Sequence, residues 1–385
     1  MDQTQAPIIE PDVSFARRII ENGGDTLKKC FQCGNCSAVC NVTPDNAPFP
    51  RKEMIWAQWG LKDRLIGNAD VWLCHQCNDC SAHCPRGANP GDVMAAIRNI
   101  SFAHFAPFGL GALFTSKKYL PLLLLLPVVL IGVAVSFGSK QGFMSIKPIV
   151  FSNMMPVHVI DLVFLPTVGL AALAALIGVS NIMKSFKTGT PGVTGQVGSM
   201  FPAAVKTVLG ILKHEKMAQC EANAPRTIAH QMLFYGFFAL LATTTLVAIM
   251  YWINKLGIGS VSATPLALAH PVKLLGNAGA LLAFIGVSII YKRRLTGDPK
   301  NVGKTGYYDS FFGTVLFWTI TTGILAEIFR LIDISPAAFG VYYIHLVLVF
   351  TLLVYAPYSK FAHMLYRFMA LTYSNAARRS KERVE

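Results

Sequence analysis

Six stretches of the chain, roughly 119–138, 157–183, 229–253, 271–291, 308–330 and 340–363, are apolar and close to the length at which a helix crosses a bilayer, about 20 residues. No soluble core needs six such segments. Only 14% of the 385 residues are charged while 53% are hydrophobic, against about 25% charged in ordinary soluble domains. The expected fold class is mainly α, with a polar α-helical head over residues 1–105, a bundle of six transmembrane helices within 106–370, and a basic tail at 371–385. The first hundred residues are polar and Cys-rich and lack the apolar core of a signal peptide, so the amino terminus is expected to stay in the cytoplasm.

Thirty-four Lys and Arg against 20 Asp and Glu give a net charge of +14. Alone, that balance fits nucleic acid or an anionic surface equally well; its distribution decides. Lys117 and Lys118 precede the first span, Lys184, Lys187, Lys206, Lys213, Lys216 and Arg226 fill the second-to-third connection, and Lys292, Arg293, Arg294, Lys300 and Lys304 the fourth-to-fifth. Arg367, Arg378, Arg379, Lys381 and Arg383 follow the last span, whereas the three opposite loops hold only Lys140, Lys147 and Lys255. By the positive-inside rule the head and the carboxyl terminus both face the cytoplasm, in a multi-pass protein of the cytoplasmic membrane. The charge is a topology signal, and no groove-reading motif accompanies it, so nucleic acid is not an expected partner. In the long 184–228 connection, Phe201, Val205, Val208, Leu209 and Leu212 recur at helical spacing among lysines, as in a helix lying along the membrane interface.

Eight of the nine cysteines lie between Cys30 and Cys84. They form two runs of one spacing, Cys30-x2-Cys33-x2-Cys36-x3-Cys40 and Cys74-x2-Cys77-x2-Cys80-x3-Cys84. This is the bacterial ferredoxin spacing, in which three close thiolates hold one cubane and the fourth reaches the partner cluster. Cys30, Cys33, Cys36 and Cys84 are thus expected to hold one [4Fe–4S] cluster, and Cys74, Cys77, Cys80 and Cys40 the other. Pro85 follows Cys84 as in that pattern, but no Pro follows Cys40. Two four-thiolate zinc sites are the alternative, although zinc ribbons use two separated pairs rather than four packed cysteines. His75 and His83, inside the second run, are surplus to four thiolates and read as outer or surface groups. The intervening stretch, with Phe49, Met54, Ile55, Trp56, Trp59 and Leu61, reads as a packed helical layer. Cys220 stands alone and reads as an ordinary thiol.

Ionisable residues inside membranes are costly and commonly functional. His345 and His363 are 18 residues apart in the sixth span; on one unbroken helix they share a face about 27 Å apart along the axis. His230, at the start of the third span, is level with His363, and two imidazoles suit a b-type haem that only transfers electrons. A second, outer haem on His345 needs a partner near the opposite surface, where His270 and His158 both begin spans, with His270 preferred. Asp161 beside His158 fits proton handling or a structural Asp–His pair, and Glu327 a proton carrier or a pair with Arg330. His104 and His214 lie in polar or boundary segments with no assigned role.

Over residues 10–100 the head resembles the iron–sulfur C subunits of heterodisulfide reductases, and residues 150–370 resemble the gamma subunit of respiratory nitrate reductase and the related cytochrome subunit of heterodisulfide reductase. The sharpest match is the segment from His345 through Tyr355-Ala356-Pro357-Tyr358-Ser359 to His363, which resembles a family segment bearing two haem ligands. His230 corresponds to the inner-haem partner; ten residues on, where that family has its second His, stands Leu240. The joined modules resemble the membrane-embedded C subunits of quinone-interacting membrane-bound oxidoreductase complexes. That resemblance implies flavin/iron–sulfur subunits A and B as partners, menaquinone as membrane carrier and adenylylsulfate reductase as electron acceptor.

The expected function is electron transfer between menaquinol and cytoplasmic flavin/iron–sulfur partners through two haems b and two [4Fe–4S] clusters, serving adenylylsulfate reduction. The Cys-Cys-Gly elements of the heterodisulfide-reducing subunit are missing, so no complete site for a terminal substrate is expected on this chain, which acts as a subunit of a quinone-dependent oxidoreductase. The alternatives are a membrane subunit of a heterodisulfide- or sulfite-reductase-linked complex, and a zinc-bearing membrane anchor without redox turnover.

Overall fold

The computed structural model describes residues 10–191, 193, 197–219, 224–262, 264–298 and 302–379; Cys220, Lys300, Lys381 and Arg383 lie outside the described residues. Among the described residues every regular element is a helix. The head contributes α1 (Val13–Ile19), α2 (Asn35–Ala38), α3 (Arg51–Gln58), α4 (Lys62–Ile66), α5 (Asp70–Leu73), α6 (Asp79–Ala82) and α7 (Pro90–Phe105). The Asp12 carboxylate caps α1 by accepting from the Phe15 N–H at 2.9 Å, and Pro90 opens α7, where its missing N–H costs nothing. Phe49, Met54 and Leu61 of the stretch between the cysteine runs are buried as expected, but Trp59 is 56% exposed.

A short helix α8 (Gly111–Thr115) leads to α9 (Leu120–Gly138) and α10 (Val157–Gly189). Then follow α11 (Met200–Lys213), α12 (Glu215–Ala218), α13 (Ala224–Lys255), α14 (Pro271–Thr296), α15 (Tyr307–Leu331), α16 (Ser335–Val354) and α17 (His363–Ala376). Helices α9, α10, α13, α14, α15 and α16 are long and apolar enough to span a membrane. Helices α13 and α14 touch backbone to backbone: a Cβ at Gly236 would meet the Ala283 nitrogen at 2.5 Å, and one at Gly286 the Ala229 carbonyl at 2.6 Å. Close approach through small residues is how helices associate where the hydrophobic effect is absent.

The head is seated on one end of the bundle. One continuous core runs from Phe15, Met54, Trp72 and Ile97 into Ile182 and Phe186 of α10, Tyr308 of α15 and Tyr366 and Tyr373 of α17. Residues 371–379, expected as a basic tail, complete this seat. Arg379 is 2% exposed and bonds the buried Asp70 carboxylate at 2.8 Å, with Lys52 on the other oxygen at 2.7 Å. A cation at that position answers a carboxylate the head buries, which residue spacing does not reveal.

The sixth span also differs from expectation. Helix α16 stops at Val354, two short 3₁₀ turns cover Ala356–Tyr358 and Lys360–Ala362, and α17 starts at His363. Pro357 cannot donate to the carbonyl four residues back and its ring crowds that turn, so the helix gives way there. His345 and His363 therefore lie on different helices, and the five-turn relation between them on one face does not hold.

Candidate functional site

The two cysteine runs share one backbone path. Gln32 and Gln76, between the first and second cysteines, have φ of 61° and 52°; Gly34 and Asn78, after the second, have 86° and 68°. These left-handed residues curl each run, and the third cysteine follows on a one-turn helix, Cys36 on α2 and Cys80 on α6. Such curls turn backbone N–H groups inward: the Gln76 N–H points to Cys74 Sγ at 3.4 Å and the Ala88 N–H to Cys84 Sγ at 3.3 Å.

The eight thiols surround two cavities. Cys30, Cys33, Cys36 and Cys84 line one, and Cys40, Cys74, Cys77 and Cys80 line the other. Each run supplies three thiols to its own cavity and the last to its neighbour's. Among the described residues no three His, Cys, Asp or Glu side chains converge as a single bound ion requires. Burial pushes the Cys36 thiol up to about 11 and Cys40 to about 12, with the neighbouring thiols adding to both, and Cys80 is also raised. Thiolates so desolvated need a cationic group among them; four-sided thiol cavities fit [4Fe–4S] clusters. Cys33 is exposed, beside Phe31 (68% exposed), over whose ring the Arg86 guanidinium stacks at 4.1 Å.

The other cavity faces the bundle, and three arginines hold its rim. Arg98 of α7 donates to the carbonyls of Val71 at 3.2 Å and Cys74 at 2.5 Å, and to Gln76 Oε1 at 3.4 Å. Arg226 of α13 donates to the Gln76 carbonyl at 2.8 Å, and Arg367 of α17 to the Leu73 carbonyl at 3.3 Å. His75 Nε2 is buried beside them without a hydrogen-bond partner. Burial, then the charges of Arg367, Arg226, Arg98 and Lys216, hold that imidazole neutral, well below the usual histidine range. His83 is exposed, its Nδ1 on the Asp79 carbonyl at 2.9 Å.

Arg226 and His230 are one turn apart on α13, and His363 and Arg367 one turn apart on α17, so each imidazole shares a helix face with an arginine at the cysteine cavity. His230 and His363 lie within electrostatic reach of each other. The His363 Nδ1 bonds the Lys360 carbonyl at 2.6 Å, and the His345 Nδ1 bonds the Thr319 carbonyl at 3.0 Å. A carbonyl only accepts, so both rings carry their proton on Nδ1 and keep a lone pair at Nε2, the form a metal-ligating imidazole takes. His230 reaches the same state through His214: its Nδ1 stands 3.0 Å from His214 Nε2, and His214 Nδ1 bonds the Leu212 carbonyl at 3.2 Å. These imidazoles have the donor chemistry a haem iron needs. His214, buried and left-handed at the junction of α11 and α12, carries no signal in spacing and is recognised only by this contact.

The far end of the bundle offers less. His270 caps α14, its Nδ1 accepting from the Val272 N–H at 3.3 Å, which leaves the neutral ring's proton on Nε2. His158 is exposed at the start of α10. His345 lies about ten residues, or ~15 Å, inside α16, whereas both candidate partners stand at helix starts. Asp161 Oδ2 is buried without a partner, while Glu327 is paired with Lys273 at 2.7 Å and Arg330 at 3.0 Å.

Comparison with known proteins matches residues 26–88 to the family described as 4Fe-4S dicluster domain, and residues 114–384 to the family described as citrate utilization protein B. The head is 37% identical over 89 residues to the C subunit of the H(2):CoB-CoM heterodisulfide,ferredoxin reductase of Methanothermobacter marburgensis, covering 23% of this chain and 48% of that protein. It is 35% identical over 98 residues to a protein of Archaeoglobus profundus described as like the C subunit of heterodisulfide reductase, covering 25% and 52%. The chain thus spans about half the length of the curated relatives it matches. No solved structure matches. With the match running from α8 through all six membrane-spanning helices to the carboxyl-terminal residues, the chain belongs to the citrate utilization protein B family, and it carries a 4Fe-4S dicluster domain at its head.

Proposed function

We propose that this chain is the membrane-embedded electron-transfer subunit of a heterodisulfide reductase-type complex, linking menaquinol or menaquinone in the bilayer to flavin/iron–sulfur subunits in the cytoplasm. The observation that carries this reading is the pair of one-turn steps, His230 to Arg226 and His363 to Arg367, by which each imidazole shares a helix face with an arginine bonded to the backbone beside Cys74 and Cys77. When bound, haem b and two [4Fe–4S] clusters supply one-electron chemistry.

The protein's own groups order these sites. His230 and His363 present Nε2 lone pairs at the head side of the bundle. Cys40, Cys74, Cys77 and Cys80 hold the cluster next to them, and Cys30, Cys33, Cys36 and Cys84 the outer one, whose exposed Cys33 meets a partner protein. Zinc would need four thiolates converging at about 2.3 Å on one ion, and the cavities favour cubanes. His345 is the candidate ligand of a second haem, with His270, or else His158, as its partner. The positive-inside distribution supports a cytoplasmic head. The relatives of the head favour a heterodisulfide reductase-type assembly; delivery to adenylylsulfate reductase is the narrower form, carried by the resemblance of the joined modules.

The test is iron, labile sulfide and haem per chain after anaerobic purification, followed by reduction with a menaquinol analogue. Two cubanes and at least one haem, all reducible by the quinol, are expected. A colourless protein containing zinc overturns the reading.

A further inference from the structure

We infer that Arg98, Arg226 and Arg367 set the reduction potential of the cluster held by Cys40, Cys74, Cys77 and Cys80, and so act as positioning residues of the electron path rather than as a mechanical clamp. The inference rests on the iron–sulfur reading of that cavity. A [4Fe–4S] cluster with four thiolates gains one further negative charge on reduction, and a low-dielectric site resists that gain. The loop of Cys74 and Cys77 lies against the bundle, whereas Cys33 of the other cavity is exposed. Positive charge held beside this inner cluster eases that gain and raises its potential.

Three guanidiniums supply the compensation. They come from separate elements, α7, α13 and α17, yet meet on the carbonyls of Val71, Leu73, Cys74 and Gln76, the backbone that carries Cys74 and Cys77. In each of these contacts the acceptor is a neutral oxygen that orients the guanidinium, and arginine stays protonated at every working pH. Arg226 sits on the membrane-spanning helix α13 and Arg367 on α17 beyond the last span, so the inner cluster has its intended potential only when the head is seated on the bundle.

Redox titration followed by EPR on the full chain tests this, with Cys77→Ser identifying the inner cluster. Arg226→Gln and Arg367→Gln are each expected to weaken that cluster's electron affinity about tenfold, ~59 mV for one electron, with the outer cluster unmoved. Arg226→Lys, which keeps the charge but loses the planar fork, is expected to stay within about threefold of the parent, whereas a clamp would lose its hold with either substitution. Two intact cubanes whose potentials ignore Arg226→Gln and Arg367→Gln overturn the inference and leave the electron-transfer reading standing. Absence of iron and labile sulfide from the parent chain overturns both.

Discussion

His230 Nδ1 lies 3.0 Å from His214 Nε2, and the two imidazoles form a directed chain that ends on the Leu212 carbonyl. The carbonyl fixes the proton of His214 on Nδ1, which makes its Nε2 an acceptor, which in turn fixes the proton of His230 on Nδ1. Tyr235 donates to the same carbonyl at 2.6 Å and helps hold it. A buried histidine at the junction of α11 and α12 thereby decides which nitrogen His230 offers.

His214→Ala is expected to lower haem retention about tenfold, the size of effect usual for partners that orient metal-ligating imidazoles, and to change the haem optical or EPR spectrum. His214→Gln, whose amide oxygen can accept from His230 Nδ1, is expected to restore part of the loss. Haem per chain and low-spin EPR measure both; parental values in His214→Ala would remove His214 from the site.

Crossing of the last thiol of each run gives a separate expectation. Cys84→Ser is expected to damage the cluster of Cys30, Cys33 and Cys36, 48 to 54 residues upstream, leaving the cluster of its own run intact. EPR of the two reduced clusters distinguishes this from local ligation, in which Cys84→Ser would abolish the signal belonging to Cys74, Cys77 and Cys80.

Arg379→Ala is expected to loosen the seating of α17 on the head. It leaves the Asp70 carboxylate buried with only Lys52 as counter-charge, and breaking a buried pair costs about 3–5 kcal/mol. Thermal denaturation in detergent, together with protease sensitivity of the head, measures it; an unchanged melting temperature would mean that α17 docks without this contact.

Glu53 makes stability depend on pH. Burial raises its carboxyl well above the usual range and the Asp70 charge adds to this, while Lys52 opposes it and the Asn68 amide donates to Oε1 at 2.9 Å. Between the ordinary carboxylate value and the raised one, the folded chain binds a proton that the unfolded chain has lost. Stability attributable to Glu53 is therefore full at low pH and declines as pH rises through that window. Melting temperatures from pH 5 to 8 are expected to fall more steeply for the parent than for Glu53→Gln, and parallel slopes would refute the assignment.

Much of this was legible in residue order. Apolar runs located all six spanning helices to within a few residues at most ends, because a bilayer crossing needs local length and hydropathy alone. The repeated cysteine spacing carries over into one shared backbone path for the two runs, because residues spaced alike around the same ligand pattern curl alike.

Other features exist only after packing. The break after Val354 was masked by the apolar character of the residues that follow, although Pro357 marked it. The contact of His214 with His230, the three arginines gathered from α7, α13 and α17, and the burial of Arg379 join residues 16 to more than 300 positions apart. Local sterics and hydropathy set where helices begin and which side chains sit on one turn. Which charges and imidazoles then meet is decided by how the head settles on the bundle, since a buried carboxylate, carbonyl or ring nitrogen takes whichever partner the folded chain brings within about 3 Å.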